Sequence, residues 1–207
     1  MNDWQFSNII SYMINQITLV LMAYFFGSIS FGIIISYILK LSDPRTIGSK
    51  NPGATNVMRA GNKLAALLTL LGDMLKATLV IAIANYMDVS EINLVIISIA
   101  VLLGHIFPVY YQFKGGKGVA TALGILLGFN WLLALTVFFV WLCIFLIWRY
   151  SSLAAVVATL SAPIISCFLE FSIETLWLTI IIAILIIYRH KGNIKNLLNG
   201  TEPGFRK

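Results

Sequence analysis

Seven stretches of apolar residues, most of them about 20 long, divide this chain and decide what it can become. They lie near 12–40, 64–87, 92–112, 118–129, 131–149, 153–171 and 173–189. About 20 apolar residues are needed to carry a helix across a ~30 Å hydrocarbon layer. Of the 207 residues 59% are hydrophobic and 11% charged, whereas a soluble domain carries about 25% charged residues. The mean hydropathy is +0.92. The expected fold is therefore an all-α, polytopic integral membrane protein of about seven transmembrane helices. It forms one domain over 1–207, because no internal repeat, low-complexity tract or linker interrupts the chain. The first run is read as a retained span, not a signal peptide. Asp3 is the only charge before it, and the run continues from Ile17 to Leu39 without a small-residue cleavage site.

Charge sets the orientation. With the N-terminus outside, every basic residue except Lys76 flanks a cytoplasmic end, thirteen of the 14 in all. The outer ends hold only Asp3, Asp88, Glu91, Glu170 and Glu174. Basic residues gather on the cytoplasmic side of membrane proteins, so the C-terminus is expected inside. Omitting the short fourth run would split the basic set, which argues for seven. One use of such a face is attraction to anionic lipid headgroups. Nucleic acid is excluded as a partner, since no soluble basic module exists to hold it. Cys143 and Cys167 sit 24 residues apart in apolar runs, without metal-ligand spacing, and are read as buried free thiols.

The same basic face collects glycines, amides and hydroxyls, which topology alone does not require. The segment 42–63 reads SDPRTIGSKNPGATNVMRAGNK. Gly48, Gly53 and Gly61 permit turns that present backbone N–H groups to an anion. Ser49, Asn51, Thr55 and Asn56 add neutral donors, and Arg45 suits bidentate grip of a phosphate. The segment 113–121 reads FKGGKGVAT. Lys114 and Lys117 bracket Gly115 and Gly116, and Gly118 follows before a short helix, so a helix N-terminus and several N–H groups converge as an anion site. His105 falls below the headgroup level, either as a functional group or as a histidine hydrogen-bonded between helices. His190 and Asn193 share a face if the last helix continues past the membrane, and Ser151 and Ser152 lie at a similar depth. Ser28 and Gly32 form a small-xxx-small face; Ser28 is also placed to reach a substrate. Asp73 and Lys76 are expected to pair across one turn, as a structural ion pair or as part of a transport path.

Carboxylates are scarce on this face: Asp43, Glu202 and Asp73. Phosphoryl-transfer enzymes hold Mg²⁺ with acidic residues, so no metal or other cofactor is expected. Anionic substrates handled without one fit better.

The segments GSISFG, IGSKNPGATNVMRAG, GHIFPVYYQFKGGKGVAT, RYSSLAAV and RHKGNIKNLLNGTE, spread over about residues 24–202, resemble the bacterial acyl-phosphate:glycerol-3-phosphate acyltransferases, the PlsY family. The resemblance implies acyl transfer from acyl phosphate to the 1-hydroxyl of glycerol 3-phosphate, giving lysophosphatidic acid and inorganic phosphate. This would be the first acylation of phospholipid biosynthesis, at the bacterial cytoplasmic (inner) membrane with the site facing the cytoplasm. The enzyme that forms the acyl phosphate is a candidate functional partner. By motif position, Ser28 and Arg45 match an essential serine and arginine. The KGGKG segment matches the glycerol-phosphate site, His190 and Asn193 match critical residues, and Glu202 matches a glutamate supporting structure. Ser30 stands where the family commonly has proline. The proton acceptor is His105, His190 or the leaving phosphate of the substrate itself, and the expected catalytic set is Ser28, Arg45, His105, His190 and Asn193. The rival class is a transporter of organic phosphates.

Overall fold

The computed structural model describes residues 3–205, with side chains over 13–205. Arg206, Lys207 and the side chain of Asp3 lie outside the described residues. Helices are the outcome that a bilayer forces on such a chain, because each backbone N–H and C=O must find a partner inside its own segment. They are α1 Asp3–Gly27, α2 Phe31–Ile38, α3 Ala54–Arg59, α4 Lys63–Tyr86, α5 Glu91–Ile106, α6 Val119–Phe129, α7 Trp131–Trp148, α8 Ser151–Phe168 and α9 Ile173–Leu198.

Five segments are long and apolar enough to cross a membrane, namely α4, α5 with its following turn, α7, α8 and α9, and the bent pair α1–α2 makes a sixth. Helix α6 is the short seventh segment. Its 11 residues span only ~16 Å at 1.5 Å per residue, and it packs against α4 and α7. Among the described residues the seven expected segments are thus up to six of crossing length, the bent pair counted as one, and the half-length α6. Its length is set by Gly118, the left-handed N-cap (φ +90°), and by Asn130, which already caps α7 through the N–H groups of Leu132 and Leu133.

Helices α4, α6, α7, α8, α9 and α5 contact one another in that order and close a ring. Ile81, Ile97, Leu102, Ile125, Leu133 and Ile186 are fully buried inside it. Helix α1 lies against the outside of α5. The backbones of α4 and α6 come close because Gly124 has no Cβ to strike Met74 O.

The span expected over 12–40 is broken in two. The chain bends by 43° between α1 and α2, with Ser30 extended (φ −100°, ψ 103°) at the N-cap of α2. No proline is needed for the break. Two charged side chains of α4 satisfy the backbone it frees: Lys76 Nζ donates to Ile29 O, and Asp73 Oδ1 accepts from Phe31 N–H at 3.4 Å. Their own contact is 2.9 Å, with side chains 1% and 3% exposed. The pair is a hinge pin, which favours the structural alternative over a transport path. The segment 42–63, expected to be loop, contains α3. Helix α9 runs through Gly192 to Leu198, so His190 and Asn193 do lie on one continuous helix. Both cysteines are free, but Cys143 is only half-buried and Cys167 is exposed at the end of α8, which corrects the expected burial of both.

Candidate active site

A cavity of about 470 Å³ opens inside the helix ring. One end is polar, lined by Ser49, Asn51, Thr55, Arg59, Lys117, Ser151, Ser152, His190, Asn193 and Glu202. The other is a hydrocarbon trough between Leu70 and Met74 of α4, Leu123 and Leu126 of α6, Phe138 and Trp141 of α7, and Ala155 and Ala158 of α8. Gly53 and Gly118 also line it.

Three elements hold the polar end together. Lys117 Nζ donates to Asn193 Oδ1, and Asn193 Nδ2 donates to Glu202 Oε1 at 2.7 Å. Ser152 Oγ donates to the same oxygen at 2.6 Å. Glu202 is 7% exposed, and its Oε2 has no hydrogen-bond partner among the described residues. Across the cavity Thr55 and Ser151 share a 3.2 Å hydrogen bond, joining the first turns of α3 and α8. The C-terminal tail closes one wall. Arg59 donates to Pro203 O at 2.6 Å and stacks on Phe205, whose N–H returns to Arg149 O. Burial pushes the Lys117 ammonium below the ordinary lysine range, opposed by the nearby Glu202 carboxylate.

The two histidines differ in what they offer. His190 Nδ1 bonds Ile186 O at 2.8 Å, and a carbonyl only accepts, so Nδ1 carries the proton and Nε2 keeps its lone pair. His105 Nδ1 instead faces Lys76 Nζ at 3.0 Å. The network therefore disfavours His105 as a proton acceptor and leaves His190 free to be one.

Several expected residues stand elsewhere. Arg45 does not line the cavity. Its guanidinium engages both carboxylate oxygens of Asp43, at 2.6 Å for the shortest contact, and lies over Tyr111. That bond holds the Asp43 carboxyl below its usual value and raises the Arg45 guanidinium. Asn56 is 2% exposed and organises the loop, accepting from Ser49 N–H and donating to Pro44 O and Ile47 O. Gly48, in the left-handed region at φ +51°, leaves room for Asn56 Oδ1. Ser28 is fully buried; its Oγ donates to Tyr24 O and accepts from Val109 N–H. Lys114 is exposed outside the lining. Gly115 and Gly116 do not offer a row of free N–H groups, because Gly116 N–H bonds His105 O and Arg189 grips both glycine carbonyls. What remains for an anion in this segment is Lys117 and the N-terminus of α6, whose first N–H groups have no helical partner. Arg59, Arg189 and the tail around Phe205 were not singled out from sequence. The two arginines look like any flanking charges, and the tail carries no motif.

The family model described as Glycerol-3-phosphate acyltransferase matches residues 17–200. The glycerol-3-phosphate acyltransferase of Methylobacillus flagellatus is 49% identical over 193 residues, covering 93% of this chain and 98% of its own. That of Nitrosospira multiformis is 51% identical, covering 92% and 96%. The crystal structure of the integral membrane glycerol 3-phosphate acyltransferase PlsY in its glycerol 3-phosphate form superposes with a TM-score of 0.88 at 44% identity, over 93% of this chain and 96% of that one. Its lysophosphatidic acid form gives 0.86 at 43% identity.

Proposed function

The chain belongs to the glycerol-3-phosphate acyltransferase family, and on that footing we propose that it acylates the sn-1 hydroxyl of glycerol 3-phosphate from acyl phosphate, releasing inorganic phosphate. Lysophosphatidic acid is the lipid product. The observation that carries the proposal is the single cavity with a cationic, donor-rich end and an apolar trough, which suits a phosphate head joined to an acyl tail. An acyl phosphate is already an activated anhydride, so no covalent intermediate on the protein is required. The protein has to hold two phosphate-bearing molecules in line and stabilise the charge that develops.

Lys117, the N-terminus of α6 and Asn193 bind one phosphate. Ser49, Asn51, Thr55, Ser151 and Arg59 face the other. The acyl chain lies in the trough. The glycerol hydroxyl oxygen bonds the carbonyl carbon, His190 Nε2 takes its proton, and the carbon–oxygen bond to phosphate breaks. The proton then leaves with the phosphate. Arg45 and Ser28 act through structure, Arg45 by fixing the turn at Asp43 and Ser28 by tying α1 to Val109. The cationic end faces the cytoplasm of a bacterial inner membrane, with the N-terminus outside, in keeping with the positive-inside pattern.

Purified protein in detergent, given acyl phosphate and glycerol 3-phosphate, should release phosphate only when both are present. Release independent of glycerol 3-phosphate, or none, defeats the proposal. His190→Gln should lower kcat by about 10²–10⁴; an unchanged kcat removes His190 as the proton acceptor.

A further inference from the structure

Proton transfer and phosphate binding leave one buried polar cluster unused: Asp73, Lys76 and His105. An ammonium has three donors and no lone pair. Each donor of Lys76 has an acceptor, namely Ile29 O, Asp73 Oδ1 at 2.9 Å and His105 Nδ1 at 3.0 Å. Asp73 Oδ1 lies 3.6 Å from His105 Nδ1, too far for a hydrogen bond. Nδ1 must therefore accept from Lys76, and the proton of the neutral ring belongs on Nε2, a tautomer assigned by the network.

Nε2 has no partner among the described residues. His105 is 6% exposed and lines the cavity. The Gly116 backbone packs beside that nitrogen, where a Cβ would collide with Nε2, so only a glycine there leaves the ring its place at the cavity wall.

We propose that His105 Nε2–H is a hydrogen-bond donor to the carbonyl oxygen of the bound acyl substrate, with Lys76 and Asp73 as the residues that position it. The inference rests on the acyl-transfer reading. Asp73 and His105 line the cavity together with Leu70, Met74 and Leu123, where polar end gives way to trough, and a carbonyl between phosphate head and hydrocarbon tail belongs at that junction. Asp73 and Lys76 cancel in charge, so the cluster has little to attract a phosphate dianion. A neutral N–H at a dry site instead favours an oxygen that becomes negative during reaction. Attack by the hydroxyl forms the new carbon–oxygen bond and moves the carbonyl electron pair onto that oxygen. Collapse restores the carbonyl and expels phosphate.

Two measurements test this on the full chain in detergent. The protein has two histidines, so ¹⁵N-histidine labelling gives two rings, assigned with His190→Asn. At neutral pH His105 should carry its proton on Nε2 and His190 on Nδ1. A proton on Nδ1 of His105, or on both its nitrogens, overturns the proposal. In turnover, His105→Leu should lower kcat by about 10²–10³-fold with the KM for glycerol 3-phosphate nearly unchanged. His105→Gln, whose amide N–H reaches about as far as Nε2, should recover about tenfold or more of that loss. Equal losses in both variants, with unfolding temperatures matching wild type, also overturn it. An inactive wild-type protein would sink the acyl-transfer reading, and with it the carbonyl role, while the nitrogen spectrum would still decide the tautomer.

Discussion

Removing the Lys76 ammonium should strongly destabilise the membrane interior. In Lys76→Met, Asp73 keeps its charge at 3% side-chain exposure without its cation, and breaking a buried pair costs about 3–5 kcal/mol. The freed carbonyl of Ile29, no longer bonded to Lys76, adds about 1–3 kcal/mol. The sum of about 4–8 kcal/mol rivals the whole stability of an ordinary protein, about 5–15 kcal/mol. At about 2–4 °C per kcal/mol for a chain of this length, the thermal midpoint in detergent should fall by roughly 10–30 °C. The double variant Asp73→Asn/Lys76→Met removes both charges and keeps an acceptor for Phe31 N–H. Both variants give up the Lys76 bonds to Ile29 O and His105 Nδ1, but the double variant leaves no uncompensated charge and so should be more stable than the single variant by about 3–5 kcal/mol. Scanning fluorimetry on wild type, the two single variants and the double variant closes the cycle. A double variant no more stable than Lys76→Met would refute the hinge-pin reasoning.

The lowered pKa of Lys117, caused first by burial, should make the KM for glycerol 3-phosphate climb with pH below the ordinary lysine range. Lys117→Arg should flatten that rise, since arginine stays charged. The same shift has a sign for stability. The cost of burying charged Lys117 is present in full below its folded pKa, and stability recovers as pH rises from that value toward 10.5. Glu202→Ala should strand Ser152 and Asn193 and cost about 1.5–3 kcal/mol per lost charged hydrogen bond, read as a lower unfolding temperature together with lower kcat/KM. Gly115→Ala, whose Cβ would strike His105 O and Pro108, should abolish stable expression. Gly192→Ala meets nothing within α9 and should raise stability by about 0.4–1 kcal/mol, measured by the same thermal assay. With the free Cys143 and Cys167 first changed to serine, cysteines placed singly at Thr46 and Lys114 should react with an impermeant maleimide only after cells are opened; labelling of either from outside would overturn the proposed orientation.

The polar face was legible before any coordinates because each residue there advertises its chemistry locally. A Lys-Gly-Gly-Lys-Gly segment before a short helix says anion site without reference to the fold. Lys117, Thr55, Ser151, Ser152, His190 and Asn193 do meet at one cavity. The roles of their neighbours were not legible. Asn56 and Ser49 look equivalent in a loop of polar residues, yet Asn56 faces inward to three backbone groups while Ser49 lines the cavity. Arg45 offers the same guanidinium as Arg59, but Asp43 two residues before it occupies the fork.

Hydropathy, charge asymmetry and residue chemistry fixed the solvent, the helical class and the chemical character of the functional face, because each depends on local composition and the bilayer enforces it. Which donors point into the cavity, where the first crossing breaks and which nitrogen of His105 carries a proton were decided by contacts between α4, α5 and the α1–α2 bend. Those contacts join residues 29, 76 and 105, and no local pattern encodes them. A buried ammonium satisfies its three donors wherever the packed helices place acceptors, and only the assembled ring determines where that is.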